Sequence, residues 1–242
     1  MNKPLQIHEI WVYLSGSPLL ALILTLSAYQ IGFTIYQKSN RLPIANPVAI
    51  AVILVASALE VIDMPYSKYF QGAQFVHFLL GTATVALAIP IYRGIRGLKG
   101  RMIPLVIALV CGAMTSIFSA VSVARYMGAS NDIIGALIAK SVTAPIAMGV
   151  AERIHTSPTL TAVFAVITGI LGAVFARYVF DILGMKVWWQ RGFAIGLAAH
   201  GIGTSRAFSV HPEAGTYASL AMGLHGILGA VVIPFIASYI PY

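Results

Sequence analysis

The chain has 242 residues, of which 59% are hydrophobic and only 9% charged. A soluble domain carries about 25% charged residues, so the composition excludes a soluble globular fold and indicates an all-α polytopic membrane protein. The formal net charge of +8 then reads as basic loops beside anionic lipid rather than as a nucleic-acid surface.

Residues 1–9 lack the short apolar region and small-residue cleavage site of a signal peptide, so the first span is expected to be retained. Apolar windows about 20 residues long place spans near 11–36, 44–62, 70–92, 102–124, 133–150, 158–183, 189–208 and 216–239. The first, fourth, sixth and eighth are clean apolar helices. The second, third, fifth and seventh carry Pro, Gly or polar residues and are read as broken or re-entrant. No polar linker is long enough to separate a soluble domain, so 1–242 reads as one transmembrane domain, with candidate inverted-repeat halves at about 10–95 and 102–240.

With eight crossings, one face would carry Lys38, Arg41, Arg93, Arg96, Lys99, Arg101, Arg153 and Arg206. The other would carry Lys3, Lys68, Arg125, Lys186 and Arg191. The basic run 93–101 marks a cytoplasmic loop and puts both termini outside; a re-entrant third or seventh span breaks that parity. Trp188, Trp189, Tyr178, Tyr239 and Tyr242 read as interfacial anchors, and the single cysteine, Cys111, allows no internal disulfide.

The interrupted spans carry the chemistry. Lys140 lies in an apolar run, and a Lys near the bilayer centre costs roughly 2.5–3.5 kcal/mol on insertion scales. Such a residue faces a polar cavity or a partner. Five residues on, Pro145 removes a backbone N–H, which predicts a helix break there. Ser141 and Thr143 add hydroxyls beside the cation. The seventh span holds His200, Gly203, Thr204, Ser205 and Arg206. The third repeats its theme more loosely, with His77 followed by Gly81, Thr82 and Thr84. Asn46-Pro47 likewise pairs with Ala144-Pro145. Interrupted segments at corresponding positions of two halves point to a transporter's binding site, which brings Asn46, Gly81, Thr82 and Thr84 into the candidate set.

Arg206 reads equally as a site cation and as an ordinary end-of-span charge. His77 and His225 read as helix-contact residues, and Glu60 and Asp63 as interfacial. Glu213 reads as a helix cap or a partner of Arg206, the local role being favoured. Two cations without a matching buried acid suggest that an anionic ligand supplies the missing charge, with helix ends at the breaks adding donors.

Several stretches resemble the LrgB/CidB family of bacterial membrane proteins. They are the run 140–147, Thr168-Gly169-Ile170-Leu171-Gly172-Ala173, Arg191-Gly192 through Arg206, Glu213-Ala214-Gly215, and 81–88. The likeness runs from about Pro43 to the C-terminus. The chain departs from the family pattern at Ala144, where a second Thr is usual, at Thr82, often Pro, and at His225.

The resemblance implies two roles: carriage of small monocarboxylates such as pyruvate, glycolate, glycerate or 3-hydroxypropionate, or holin- and antiholin-like control of murein hydrolase export and lysis. It also implies a bacterial cytoplasmic-membrane location and a smaller LrgA/CidA-type membrane partner; a homodimer is expected from small-residue faces. The lone Lys beside a Pro favours the carrier. An enzyme fits worst, since no His-Glu-x-x-His pair, nucleophile elbow or Cys/His ligand cluster is present, and no metal or cofactor is expected.

Overall fold

The computed structural model describes residues 18–86, 88, 89, 92 and 100–240, with the backbone alone at 77, 80, 81, 83 and 84. The predicted start of the first span at 11–17, the basic residues 93–99 and the anchor Tyr242 lie outside the described residues. The described structure is all-helical and forms two units, residues 1–86 and 87–242.

The first unit contains α1 (Pro18–Lys38), a 3₁₀ turn (Pro43–Ala45), α2 (Pro47–Val61) and α3 (Tyr66–Ala86). Asn46 opens α2 by accepting from the backbone N–H groups of Val48 and Ala49 at 2.9 and 3.1 Å, with Pro47 in the first turn, where its missing donor is not needed. Helix α1 meets α2 at Gly32, where a Cβ would lie 2.6 Å from the Pro47 carbonyl oxygen. Thr25 and Tyr69 join α1 to α3 through a 2.7 Å hydrogen bond between their hydroxyls. Helix α3 runs unbroken through Gly81, Thr82 and Thr84, against the expected break. With Thr rather than Pro at 82, the backbone bonding continues, and the Thr82 hydroxyl donates to Leu79 O on its own helix.

The second unit contains α4 (Met102–Tyr126), α5 (Asn131–Ile138), α6 (Ala144–Arg153), α7 (Pro158–Ile182), α8 (Trp188–Val210) and α9 (Pro212–Ala237). Helices α1, α4, α7 and α9 are each long and apolar enough to cross a membrane, and they coincide with the four spans read as clean. Their packing inverts that of a soluble bundle. On α7 the buried residues are Thr161, Ala165, Gly169 and Ala173, every fourth residue and all small, while Val163, Ile167, Leu171 and Phe175 face outward. Small residues inside and large apolar ones outside are the pattern of helices packed in lipid. The chain is a polytopic membrane protein.

Helices α4 and α9 run in the same direction. Arg101, at the start of α4, pairs with Glu213 at 3.5 Å and donates to the Tyr217 hydroxyl at 2.9 Å, both in the first turns of α9. At their far ends Ile117, Val121 and Ala124 share a core with Ile233 and Ala237. Helix α7 runs the opposite way. The end holding Arg101, Glu213 and Asp181 is the first face, and the other end the second face.

Helix α8 is not a crossing. A straight helix of 23 residues would separate its ends by about 34 Å, yet the ring of Trp188 stacks on that of His211 at 4.8 Å. The chain reverses at His200, whose φ of 39° and ψ of −127° interrupt the helix. The returning arm packs on the entering one at Gly203, where a Cβ would lie 2.8 Å from Ile195 O. Gly192 and Gly196 bring the entering arm against α9, where an added Cβ would strike Ala214 O and Ala218 O. The seventh span is therefore a re-entrant hairpin with both ends at the first face.

The fifth span is re-entrant from the opposite side. Helix α4 has 25 residues and leaves the first face, so Tyr126 lies about 37 Å away, at the second face. Helix α7 ends at the first face beside Asp181 and so begins at the second. The pair α5–α6 joins those two points, entering and leaving by the second face with its tip at 139–143. The break is thus an unwound tip containing Lys140, not a kink at Pro145. Pro145 sits in the first turn of α6, where proline is pre-set for a helix start.

These two reversals overturn the eight-crossing count and the charge parity built on it. At the first face Trp188 stacks on His211, and Trp189 tilts against Tyr217 beneath the Arg101 guanidinium.

Candidate functional site

The two tips reach about the same level, halfway along the three crossing helices. From the second face, the Lys140 ammonium reaches the middle of α4 and donates to Ser116 Oγ at 3.1 Å. Ser141 Oγ and His225 Nε2, both buried, are hydrogen-bonded at 3.0 Å, which ties the tip to the middle of α9. Glycines let the tip approach: a Cβ at Gly229 would lie 2.6 Å from Val142, and one at Gly226 would lie 2.8 Å from Ile146.

From the first face, His200 forms the hairpin tip and donates from Nε2 to Ala165 O on α7 at 2.8 Å. A carbonyl only accepts, so this bond places a proton on Nε2. Gly169 leaves room for the ring, since a Cβ there would stand 2.7 Å from Cε1. The Thr204 hydroxyl donates to His200 O at 2.7 Å and lies 3.8 Å from Met222 Sδ. Met222 and His225 are three residues apart on α9, about 4.5 Å along its axis. One turn of α9 therefore touches the α5–α6 tip and the first turn of the returning arm of α8.

Electrostatically the junction is one-sided. Lys140 makes no ion pair among the described residues, and its polar neighbour is a hydroxyl. The acids of the second unit, Asp132, Glu152, Asp181 and Glu213, all lie near the two faces. Helix α6 and the return arm of α8 both begin at the junction, and their N-terminal ends add positive partial charge and backbone donors. Thr143 Oγ1 and His225 Nδ1 are buried without a hydrogen-bond partner, and each such group costs on the order of 1–3 kcal/mol unless something binds it.

The structure divides the predicted set. It brings Lys140, Ser141, Thr143 and Pro145 to one tip and His200 to the facing one. Gly203 is consumed in packing between the two arms, as a buried contact rather than an open backbone surface. Thr204 and Ser205 line a groove of ≈ 490 Å³ with Gly201, Phe208, Ser209 and Met222. Arg206 is elsewhere, lining a cavity of ≈ 340 Å³ near the first face with Arg177, Asp181, Trp188 and Arg191. Glu213 pairs with Arg101, distant in sequence, rather than with Arg206, and His211 rather than Glu213 caps the helix. Asn46, Gly81, Thr82 and Thr84 belong to the other unit, where Asn46 serves as a helix cap.

Sequence reasoning missed Ser116 and undervalued His225. The pair Thr115-Ser116, two hydroxyls in the middle of a clean apolar span, was the available signal for the first. For the second it was a histidine where the family pattern lacks one. Among the described residues no three His, Cys, Asp or Glu side chains group as metal ligands.

The LrgB-like family model matches residues 25–239. The uncharacterized protein YwbG of Bacillus subtilis is 32% identical over 91% of this chain and 98% of its own length. An uncharacterized Haemophilus influenzae protein is 29% identical over 88% of this chain and 92% of its own. The Staphylococcus epidermidis protein named holin-like protein CidB is 27% identical over 89% of this chain and 93% of its own. No solved structure matches.

Proposed function

This chain belongs to the LrgB-like family, and we propose that within it the protein works as a secondary carrier of small hydroxy- or keto-monocarboxylates in the bacterial cytoplasmic membrane. One observation supports this reading: Lys140, without a carboxylate partner among the described residues, lies on a re-entrant tip at mid-membrane, at the level of the opposed His200 tip. An intramembrane cation between half-helix ends is suited to an anion that must be held briefly and released. In this reading Lys140 counters the carboxylate. Ser141, Thr143 and His225 orient the remainder of the solute, and Pro145 starts the half-helix whose N-terminus faces it. His200 holds the opposing tip. Alternating access would move the tips relative to the scaffold of α4, α7 and α9.

Uptake of labelled pyruvate or glycolate into proteoliposomes tests the proposal. Saturable uptake that Lys140→Ala reduces at least tenfold is expected. Equal uptake by wild type and Lys140→Ala would remove Lys140 from the site, and no flux of any small acid would remove the carrier.

A second reading is favoured by the name of the staphylococcal relatives, holin-like protein CidB, which speaks for that role more directly than any relative's name speaks for transport. On that reading the protein regulates export or lysis with a smaller LrgA/CidA-type membrane partner. Release of large dyes from vesicles would support it, whereas saturable, substrate-selective flux would speak against it.

A further inference from the structure

The return arm of the α8 hairpin has two unlike faces. Gly203 and Ala207 are buried. The opposite face presents Gly201, Ser205, Phe208 and Ser209, and with the buried Thr204 and Met222 these line the ≈ 490 Å³ groove. The lining follows helical spacing. Positions 201, 204, 205, 208 and 209 lie on one stripe that runs about 12 Å from the tip toward the first face. The stripe is rich in hydroxyls and glycine, unlike the outward faces of α4 and α7, where Ile103, Val106, Ile167 and Leu171 stand exposed. Its deep end is the tip itself: Gly201 adjoins His200, and Met222 lies one helix turn from His225, which holds Ser141 beside Lys140. Lys140 is not among the lining residues, so the groove ends at the hairpin side of the junction.

We infer that this hydroxyl-lined groove is the aqueous path by which a small hydrated anion reaches the mid-membrane junction from the first face, so that the structure represents a state open to that face. The inference rests on the carrier reading and adds to it a route and a direction of opening. The Thr204 and Ser209 hydroxyls donate to His200 O and Ser205 O on their own arm, which leaves Ser205 as the exposed hydroxyl that can exchange bonds with a passing carboxylate or its water, and leaves the strong contact to Lys140 at the end of the route. The second face has no counterpart in the two cavities described. At that end Ile134, Ile138, Val150, Ile154 and Ile240 close into an apolar core. Passage to the second face would require the α5–α6 tip to move.

Cysteine accessibility tests this in the full-length protein reconstituted in vesicles, after Cys111→Ser removes the exposed native thiol. Ser205→Cys and Ser209→Cys are treated with a charged, membrane-impermeant methanethiosulfonate added to each face in turn. Ile227→Cys serves as the lipid-facing comparison, since Ile227 is 70% exposed on α9. The groove residues are expected to react at least tenfold faster than Ile227→Cys, from the first face alone, and to be slowed several-fold by millimolar glycolate or pyruvate.

Reaction of Ser205→Cys no faster than Ile227→Cys would mean that lipid fills the groove and would overturn the inference. So would reaction from the second face, or fast reaction that no carboxylate slows. Uptake measured on the same vesicles separates the two readings. Flux without groove labelling removes the path and leaves the carrier, whereas labelling without any flux removes the carrier.

Discussion

Gly169→Ala is a direct test of how the α8 hairpin is held. In the structure the new Cβ would lie 2.7 Å from His200 Cε1, 2.9 Å from Ile202 Cδ1 and 3.2 Å from His200 Nε2. The His200 ring cannot simply swing away, because the imidazole is buried and donates to Ala165 O at 2.8 Å. Overpacking of this kind costs about 1–3 kcal/mol. Displacing the ring also loosens a buried hydrogen bond worth about 0.5–1.5 kcal/mol, so the total loss should be about 2–4 kcal/mol.

Denaturant or thermal unfolding in detergent measures that loss, with Gly149→Ala as the comparison. Gly149 is helical and a Cβ there meets nothing within 4 Å, so its replacement should gain up to about 1 kcal/mol. A double-mutant cycle sharpens the result: in a His200→Ala background Gly169→Ala should cost at least 1 kcal/mol less, since the atom it strikes is gone. Additive losses, or a Gly169→Ala protein as stable as wild type, would refute the packing of the tip described above.

Other outcomes follow from the same geometry. Ser141→Ala strands His225 Nε2 and should destabilise by about 1–3 kcal/mol in the unfolding assay, whereas Ser141→Ala combined with His225→Phe should recover part of that loss. Arg101→Gln removes the contacts to Glu213, Tyr217 and the Trp189 ring. Its cost should be about 1 kcal/mol, and the difference from wild type should shrink in high salt, as melting over a salt series would show. The first face of the second unit carries Arg101, Arg177, Lys186, Arg191 and Arg206 against Asp181 and Glu213, five minus two. The second face carries Arg125 and Arg153 against Asp132 and Glu152, two minus two. The first face should therefore be cytoplasmic. A C-terminal alkaline phosphatase fusion should then be active, and a dark phosphatase with a bright fluorescent-protein fusion would reverse the assignment.

The four clean spans were legible because a run of about 20 apolar residues has only one common reading. The interrupted spans were legible as interrupted and illegible as to course. Hydropathy averages over a window and cannot tell a helix that crosses from one that turns back at His200. Two features of the hairpin were in the sequence. Gly192 and Gly196 repeat at helical spacing against Ala214 and Ala218, and Gly203 follows the tip closely. Their meaning depends on which helix lies opposite, and that is a tertiary fact. Lys140 was identifiable from its cost alone, whereas its contact with Ser116 spans 24 residues that no local pattern connects. Arg206 was grouped with Lys140 because it follows the Gly-Thr-Ser motif. The reversal at His200 carries it back toward the first face, away from the tip.

The two hairpins also bear on how the chain is made. An unwound segment such as 139–143, or a reversal such as that at His200, exposes backbone groups that hydrocarbon cannot satisfy, and it persists at membrane depth only when sheltered by protein. For both tips that shelter includes α9, through Ser141 on His225 and through Gly192 and Gly196 on Ala214 and Ala218. Helix α9 follows them in the chain and emerges from the ribosome after both. Neither hairpin can settle at depth while the nascent chain ends at Val210. The mid-membrane junction is thus assembled last, by the arrival of a helix that contributes no charge to it.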